Sequence, residues 1–334
     1  MKQILCSILF LSLFHLAQGQ DLHLSQFYTN KMSLNPAYAA NYTGTYQFSG
    51  NYRSQWSEVG TPLNTVFLAF DRKFFFFTDE IDIGILFNDD QYAGFGQKVN
   101  KVLLNATYTK RLGKNKLRAG VQIGAILRST DFSKQTFPSQ WVYSSGEFDD
   151  NVFSGESAMG SSHSFMDVSL GLVWTRKFTK SQPTFGFSLF HINRPKDSYN
   201  AVFIERLRMR KAFFGEVDWY VGQNLIIEPK ILYMWTTKTQ DLVVGSNIRR
   251  KFDSKVVQSI YGGVHMRSGF GRNIDAVIPT IGMSLGRFDL GFSYDVNISE
   301  ISQVNSQKTS LEWSLIYTAP IYTPSKLSIP CDRY

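Results

Sequence analysis

The chain has 334 residues, 43% hydrophobic and 15% aromatic, and its 35 Lys and Arg outnumber its 27 Asp and Glu to give a formal charge of +8. Cys331 is the only cysteine beyond the leader that holds Cys6, which excludes an intrachain disulfide framework and a cysteine-built metal site. The basic residues fall in short turns rather than in one stripe, and an exported chain rarely meets nucleic acid, so nucleic-acid binding is not expected.

Residues 1–19 read as an export signal. Lys2 supplies a small positive start, Ile4 to Leu16 form a short apolar run, and Ala17-Gln18-Gly19 is a small-x-small cleavage site. The mature chain is expected to begin at Gln20 or Asp21. The apolar run is too short to span a bilayer, and Cys6 lies well before the cleavage site, so a lipid anchor is not expected. Nothing after it reads as a transmembrane helix. Phe74-Phe75-Phe76-Phe77 is the densest apolar run, and charges close it on both sides.

From Gly44 onward the chain alternates with period two. In residues 45–56, Thr45, Gln47, Ser49, Asn51, Arg53 and Gln55 share one face, with Tyr46, Phe48, Tyr52 and Trp56 on the other. Residues 101–109 set Lys101, Leu103, Asn105, Thr107 and Thr109 against Val102, Leu104, Ala106 and Tyr108. In 117–128 Arg118, Gln122 and Arg128 lie opposite Leu117, Val121, Ile123 and Leu127, and in 166–175 Asp167 and Ser169 lie opposite Met166, Leu170 and Trp174. A charged face on long strands suits a wet lumen, with the apolar face toward lipid. Further strands are expected near 62–73, 80–88, 184–193, 208–221, 224–236, 241–249, 257–267, 274–285, 287–297 and 308–318.

The pattern predicts an all-β fold: a closed antiparallel transmembrane β-barrel of about fourteen strands, an even number as bacterial single-chain barrels have. It forms one domain over 20–334, preceded by the signal at 1–19, with an N-terminal segment and a short C-terminal tail. Links after even strands are short and basic. Links after odd strands are longer: Asp89 to Lys98, Ser129 to Ser164, Asn193 to Leu207 and Ser299 to Gln307. That parity puts the short turns in the periplasm. The longest, 129–164, reads as a large external loop or an inward-folded plug, with the solvated loop preferred.

Conventional chemistry is sparse. His23, His163, His191 and His265 form no close metal pair, and no zinc or calcium signature is present. Ser162-His163-Ser164 and Ser188 to His191 are the only local hydrolase candidates. They lack a nucleophile elbow, and His191 reads better as a residue that orders a strand end. No catalytic residue, metal or cofactor is expected.

Several words then resemble one family. Gln20-Asp21 with Ser25-Gln26-Phe27-Tyr28 and Leu34-Asn35-Pro36-Ala37 form the opening, and Asn51-Tyr52-Arg53-Ser54-Gln55-Trp56 the first strand. Phe190-His191-Ile192-Asn193-Arg194-Pro195 lies centrally. Phe292 to Ser299 with Leu311 to Leu315 close the chain, ahead of Pro330-Cys331-Asp332-Arg333-Tyr334. Together, in order, they resemble the PorP/SprF family of type IX secretion outer-membrane proteins of Bacteroidetes. Leu311-Glu312-Trp313 and Asp332 are mild departures. The resemblance implies a non-enzymatic role in export or surface anchoring of secreted proteins or gliding adhesins. Implied partners are outer-membrane lipid, type IX cargo, and periplasmic ring and lipoprotein components.

Candidate docking or structural residues follow from the same words. Asn35 and Pro36 would fix the N-terminal segment at the barrel mouth. Arg53 would place a charge in the lumen and Trp56 an aromatic at the interface. His191, Asn193, Arg194 and Pro195 would set a strand end facing a loop, and Tyr294, Asp295 and Asn297 would shape the last hairpin. Barrel packing explains each equally well. The rival readings are a small-solute porin, which needs an open lumen, a membrane-embedded hydrolase, and a soluble β-sandwich.

Overall fold

The computed structural model describes residues 24–39, 41–55, 62–76, 79–92, 96–131, 136–149, 151–154, 162–199, 205–237, 239–269, 274–298 and 310–321. The strands are β1 (Tyr46–Gln55), β2 (Leu63–Phe76), β3 (Asp79–Tyr92), β4 (Gln97–Leu112), β5 (Asn115–Thr130), β6 (Ser162–Arg176) and β7 (Ser181–Phe190). They continue as β8 (Arg210–Val221), β9 (Leu225–Trp235), β10 (Gln240–Lys251), β11 (Val257–Ser268), β12 (Ile274–Leu285), β13 (Phe288–Asn297) and β14 (Ser310–Thr318). Each pairs antiparallel with its neighbours in sequence, and β1 pairs with β14 to close a barrel of fourteen strands. Closure leaves no sheet edge in the membrane, where an unpaired backbone group costs several kcal/mol.

Alternation fixes what each side meets. Gln47, Ser49, Asn51 and Arg53 of β1 point inward and are buried, whereas Phe48 and Tyr52 point outward and are exposed. Leu68, Ile83, Leu104, Ile123, Leu172, Ile281 and Trp313 continue an exposed apolar belt around the outside. Aromatics thicken it at both rims. Tyr46, Phe48, Phe70, Tyr317 and Phe288 cluster by the short turns, and Tyr233 stacks on Trp235 at 4.9 Å toward the long loops. Among the described residues no helix is long and apolar enough to cross a membrane; the strands cross instead.

Short turns join the even strands to the next. Gly113 and Lys114 alone join β4 to β5, with Gly113 at φ +60°, the conformation that a two-residue hairpin asks of its first central residue. Two connections differ from expectation. β3 runs to Tyr92 and β4 starts at Gln97, so the expected loop from Asp89 to Lys98 is mostly strand. The link from β9 to β10 is also short, and Thr236 and Thr239 bridge its ends. On β3 to β6 the apolar belt stops at Phe87, Val102, Leu127 and Met166. The outward residues beyond are Asp89, Gln91, Lys98, Asn100, Ser129, Ser162 and Ser164, so this wall stands clear of the lipid on the long-loop side. Described residues 136–154 of the long loop hold a small hairpin, Trp141–Val142 against Glu147–Phe148, outside the lumen.

Candidate functional site

Among the described residues, the N-terminal segment fills the lumen. Residues 24–39 thread it from the long-loop half to the short-turn half and enter β1 at the short-turn rim. Local chemistry shapes the segment first. A turn closes through Thr29, which donates from N and Oγ1 to the Gln26 carbonyl at 3.0 and 2.7 Å. The Asn30 side chain then caps a single helical turn, α1 (Lys31–Leu34), and Asn35 caps a 3-10 turn, Pro36–Tyr38, by accepting from Ala37 N at 2.8 Å. Proline at the first position sacrifices no hydrogen bond.

The wall receives this segment in three places. In the long-loop half, the Glu312 carboxylate accepts from the backbone N–H groups of Ser25 (2.7 Å) and Gln26 (3.1 Å). Ser25 Oγ donates to Asp295 at 2.7 Å. Gln26 donates to the Glu312 carbonyl at 3.0 Å and accepts from Ser314 Oγ at 3.0 Å. Arg53 lies 3.0 Å from Asp295 and 3.8 Å from Glu312, and Arg267 lies 2.9 Å from Asp295. Arg53 and Glu312 are register partners across the β1–β14 closure, so the plug is pinned where the barrel closes. Buried charges need pairing and hydrogen bonds, and the plug's N–H groups supply hydrogen bonds to the Glu312 carboxylate.

At mid-height the fit is steric. Asn35 Nδ2 donates to the carbonyls of Leu172 (3.3 Å) and Phe187 (3.0 Å), paired residues of β6 and β7. Gln122, Ser188, Asn105 and Thr107 donate to the carbonyls of Met32, Leu34 and Pro36. Gly120 and Gly171 are register partners, and a Cβ on either would strike the plug: Pro36 from Gly120, Asn35 from Gly171. Glycine is required here for close approach. Inward apolar residues complete the seat. Phe27, Leu34 and Tyr38 pack with Val173, Phe214 and Leu232, and Leu24 and Met32 pack with Phe67, Leu86 and Leu103. Tyr28 is stacked on His265 at 5.5 Å, with Lys230 over its ring; burial pushes its phenol up to about 12.

At the short-turn end Tyr38 donates to Glu216, Lys31 donates to the Asn41 carbonyl, and Lys73 donates to the Tyr42 carbonyl. Burial lowers the Lys31 ammonium from its ordinary range. Below the plug lies a cavity of about 930 Å³, lined by residues of the short turns such as Gly113, Lys114 and Lys177 and so opening toward them.

The expected residues fall into two groups. Asn35, Pro36, Arg53 and Asp295 meet around the plug, with Asn35 and Pro36 deep in the lumen rather than at its mouth. His191, Asn193, Arg194 and Pro195 form a separate seam. β7 pairs with β6 only from Leu170 to Thr175, leaving the upper β6 edge without a strand. His191 adopts φ +58° and its Nδ1 meets Asp167 at 2.8 Å. The turn lets Ile192 N reach the Val168 carbonyl. The Asn193 side chain accepts from Val168 N at 3.3 Å and donates to the Met166 carbonyl at 2.7 Å, standing in for a missing strand. Arg194, at φ +46°, closes the turn onto the His191 carbonyl, and the Pro195 carbonyl accepts from Leu207 N. Tyr294 faces outward, and Asn297 ends β13 opposite Ala276. Trp56 lies outside the described residues, as do residues 1–23 and the tail from 322.

Glu312, Gly120, Gly171 and the apolar seat are residues that sequence reasoning missed. A signal was present. Leu103 sits in an otherwise polar row, and an apolar side chain on a lumen face needs something dry to touch. Among the described residues no group of His, Cys, Asp and Glu is arranged to hold a metal ion.

A closed antiparallel barrel with an apolar outer belt, aromatic rims and a polar, filled lumen is an outer-membrane barrel. The family model described as type IX secretion system membrane protein PorP/SprF matches residues 16–317, and the chain belongs to that family. No curated protein matches the chain. Among solved structures it is similar to the toluene transporter TbuX of Ralstonia pickettii (10% identity, 87% of this chain and 94% of that one, TM-score 0.51). It is also similar to the monoaromatic hydrocarbon channel CymD (10% identity, 92% and 95%, TM-score 0.53). The toluene transporter TodX of Pseudomonas putida is comparable (8% identity, 89% and 93%, TM-score 0.52). At such identities the likeness shows the fold alone.

Proposed function

We propose that the protein is a plugged outer-membrane docking component of type IX secretion, supporting export or surface anchoring of secreted proteins or gliding adhesins. Its partners on this reading are a secreted cargo and the periplasmic ring and lipoprotein components of the machine. Family membership supplies the secretion context. The observation that carries the docking role is the plug. Residues 24–39 occupy the lumen, hydrogen-bonded to the wall at Ser25, Gln26 and Asn35 and packed on its inward apolar residues, which favours a surface that receives partners over a conduit. The candidate residues then act through the seat: Arg53 and Asp295 with Glu312 hold its upper end, and Asn35 and Pro36 hold its middle. We also propose one mature domain from residue 20, released by cleavage after Gly19.

Gene deletion followed by mass spectrometry of surface and medium proteins tests this reading, paired with pull-down of the tagged barrel in mild detergent. Loss of one or more secreted proteins and recovery of machine components are the expected results; unchanged secretion overturns it. The second reading, a small-solute porin, takes its support from the barrel fold shared with channels and requires an open lumen. Ion conductance by the intact protein in planar bilayers would favour it.

A further inference from the structure

The cavity beneath the plug carries charge that the rest of the lumen does not explain. Arg111 of β4 and Lys116 of β5 are direct cross-strand partners, a like-charge placement that costs stability when nothing negative lies between them. Arg118 follows two residues along the same inward face and is 3% exposed. Its guanidinium donates to two neutral atoms, Thr175 Oγ1 at 3.1 Å and Asn41 Oδ1 at 3.0 Å, and its Nε has no partner. Lys177 is brought alongside by its N–H bond to the Lys114 carbonyl at 3.0 Å. Arg111 is held by Glu80 at 2.8 Å, while among the described residues Lys116, Arg118 and Lys177 have no carboxylate within ion-pair distance, Glu80 and Asp82 acting on Arg118 only from further off.

A buried guanidinium without a carboxylate is costly, and Arg53 and Arg267 in the same barrel both have one. The cationic wall therefore has the chemistry of an anion site whose anion comes from outside the chain. Two features narrow the class. The cavity, about 930 Å³, lies at the large end of ligand pockets and opens toward the short turns. Its lining also carries Glu216 and Asp218 on β8, together with Tyr38, Tyr42 and Tyr261. A phosphate ion would use one wall only, and a lipid would need an apolar slot. A polypeptide can place carboxylates on the cationic wall while its backbone and remaining side chains meet tyrosines and acids.

We propose that this vestibule binds an acidic polypeptide segment presented from the periplasmic side, with Lys116, Arg118 and Lys177 receiving its carboxylates. The segment's origin in cargo or machine rests on the secretion reading; the binding chemistry does not.

The test uses the purified full-length barrel in detergent and a fluorescein-labelled ten-residue peptide of alternating Glu and Ser, read by anisotropy. Saturable binding that weakens steeply with salt is expected, as is none by the same peptide with Gln for Glu. K116Q/K177Q, which leaves Arg118 in place, should weaken binding by about tenfold or more, and R118Q further. K98Q, on the outer face at the opposite rim, should change nothing. Equal binding of the Gln peptide, or full affinity in K116Q/K177Q, overturns the proposal. So does inorganic phosphate binding as tightly as the peptide, which would make the vestibule a small-anion site. Gene deletion separates the two readings. Secretion lost on deletion with no peptide binding sinks the vestibule alone. Peptide binding with secretion intact on deletion sinks the secretion role alone.

Discussion

The two halves of the lumen solve one problem in opposite ways. Toward the long loops, charges are matched: Arg53 and Arg267 face Asp295 and Glu312, and the plug's N–H groups go to both oxygens of Glu312. Toward the short turns, Lys116, Arg118 and Lys177 line the cavity with no carboxylate in ion-pair reach among the described residues. A filled, apolar-lined region must balance its charges internally because desolvation is expensive. A wet region can leave charge unbalanced and offer it to a partner. The difference separates a structural half from a receptive one.

Removing the plug should abolish the contrast. A barrel lacking residues 24–39 should conduct ions in planar bilayers where the intact chain does not, the largest effect expected. Next is the upper anchor. Glu312→Ala strips two backbone N–H groups and Arg53 of their acceptor, and loss of one partner of a buried pair costs about 3–5 kcal/mol, read as a fall in thermal midpoint. Gly171→Leu acts on the middle of the plug by collision with Asn35. Overpacking of roughly 1–3 kcal/mol should loosen the plug, seen as faster proteolysis near residue 35, whereas Gly262→Ala, whose Cβ would meet only the Thr280 carbonyl at 3.9 Å, should not.

Tyr28 gives a pH handle on the same seat. Its folded-state value stands at about 12 against an ordinary 10.0, so its contribution is fully present below pH 10 and is lost as pH rises from 10 to 12. The loss is at most about 2.7 kcal/mol, and Tyr28→Phe should flatten that limb of the stability curve. The smallest effect lies at the seam. Asn193→Ala removes two hydrogen bonds to the β6 edge, worth about 1–2 kcal/mol, and should speed amide exchange at Val168 while leaving the plug closed.

Most of the barrel was legible because period-two alternation survives in every strand that separates lipid from lumen. Boundaries moved where polarity no longer tracks lipid: β3 and β4 continue past the membrane belt, so outward Asp89 and Lys98 read as loop although their backbones stay paired. The long loop was a plausible plug on length alone. Residues 24–39 were read as a tail because a capped, irregular segment carries no period to betray its burial.

Composition and alternation by themselves determined a barrel of about fourteen strands, its outer belt, its short basic turns and Arg53 as a lumen charge. Those properties depend on which solvent each face meets, and neighbours in sequence report that. Only the tertiary structure decided that the N-terminal segment is the plug, that Gly120 and Gly171 form one notch, that Glu312 captures Ser25 and Gln26, and that Arg118 pairs with no carboxylate among the described residues. These depend on contacts between residues up to 288 positions apart, and no local pattern encodes which distant groups share a lumen.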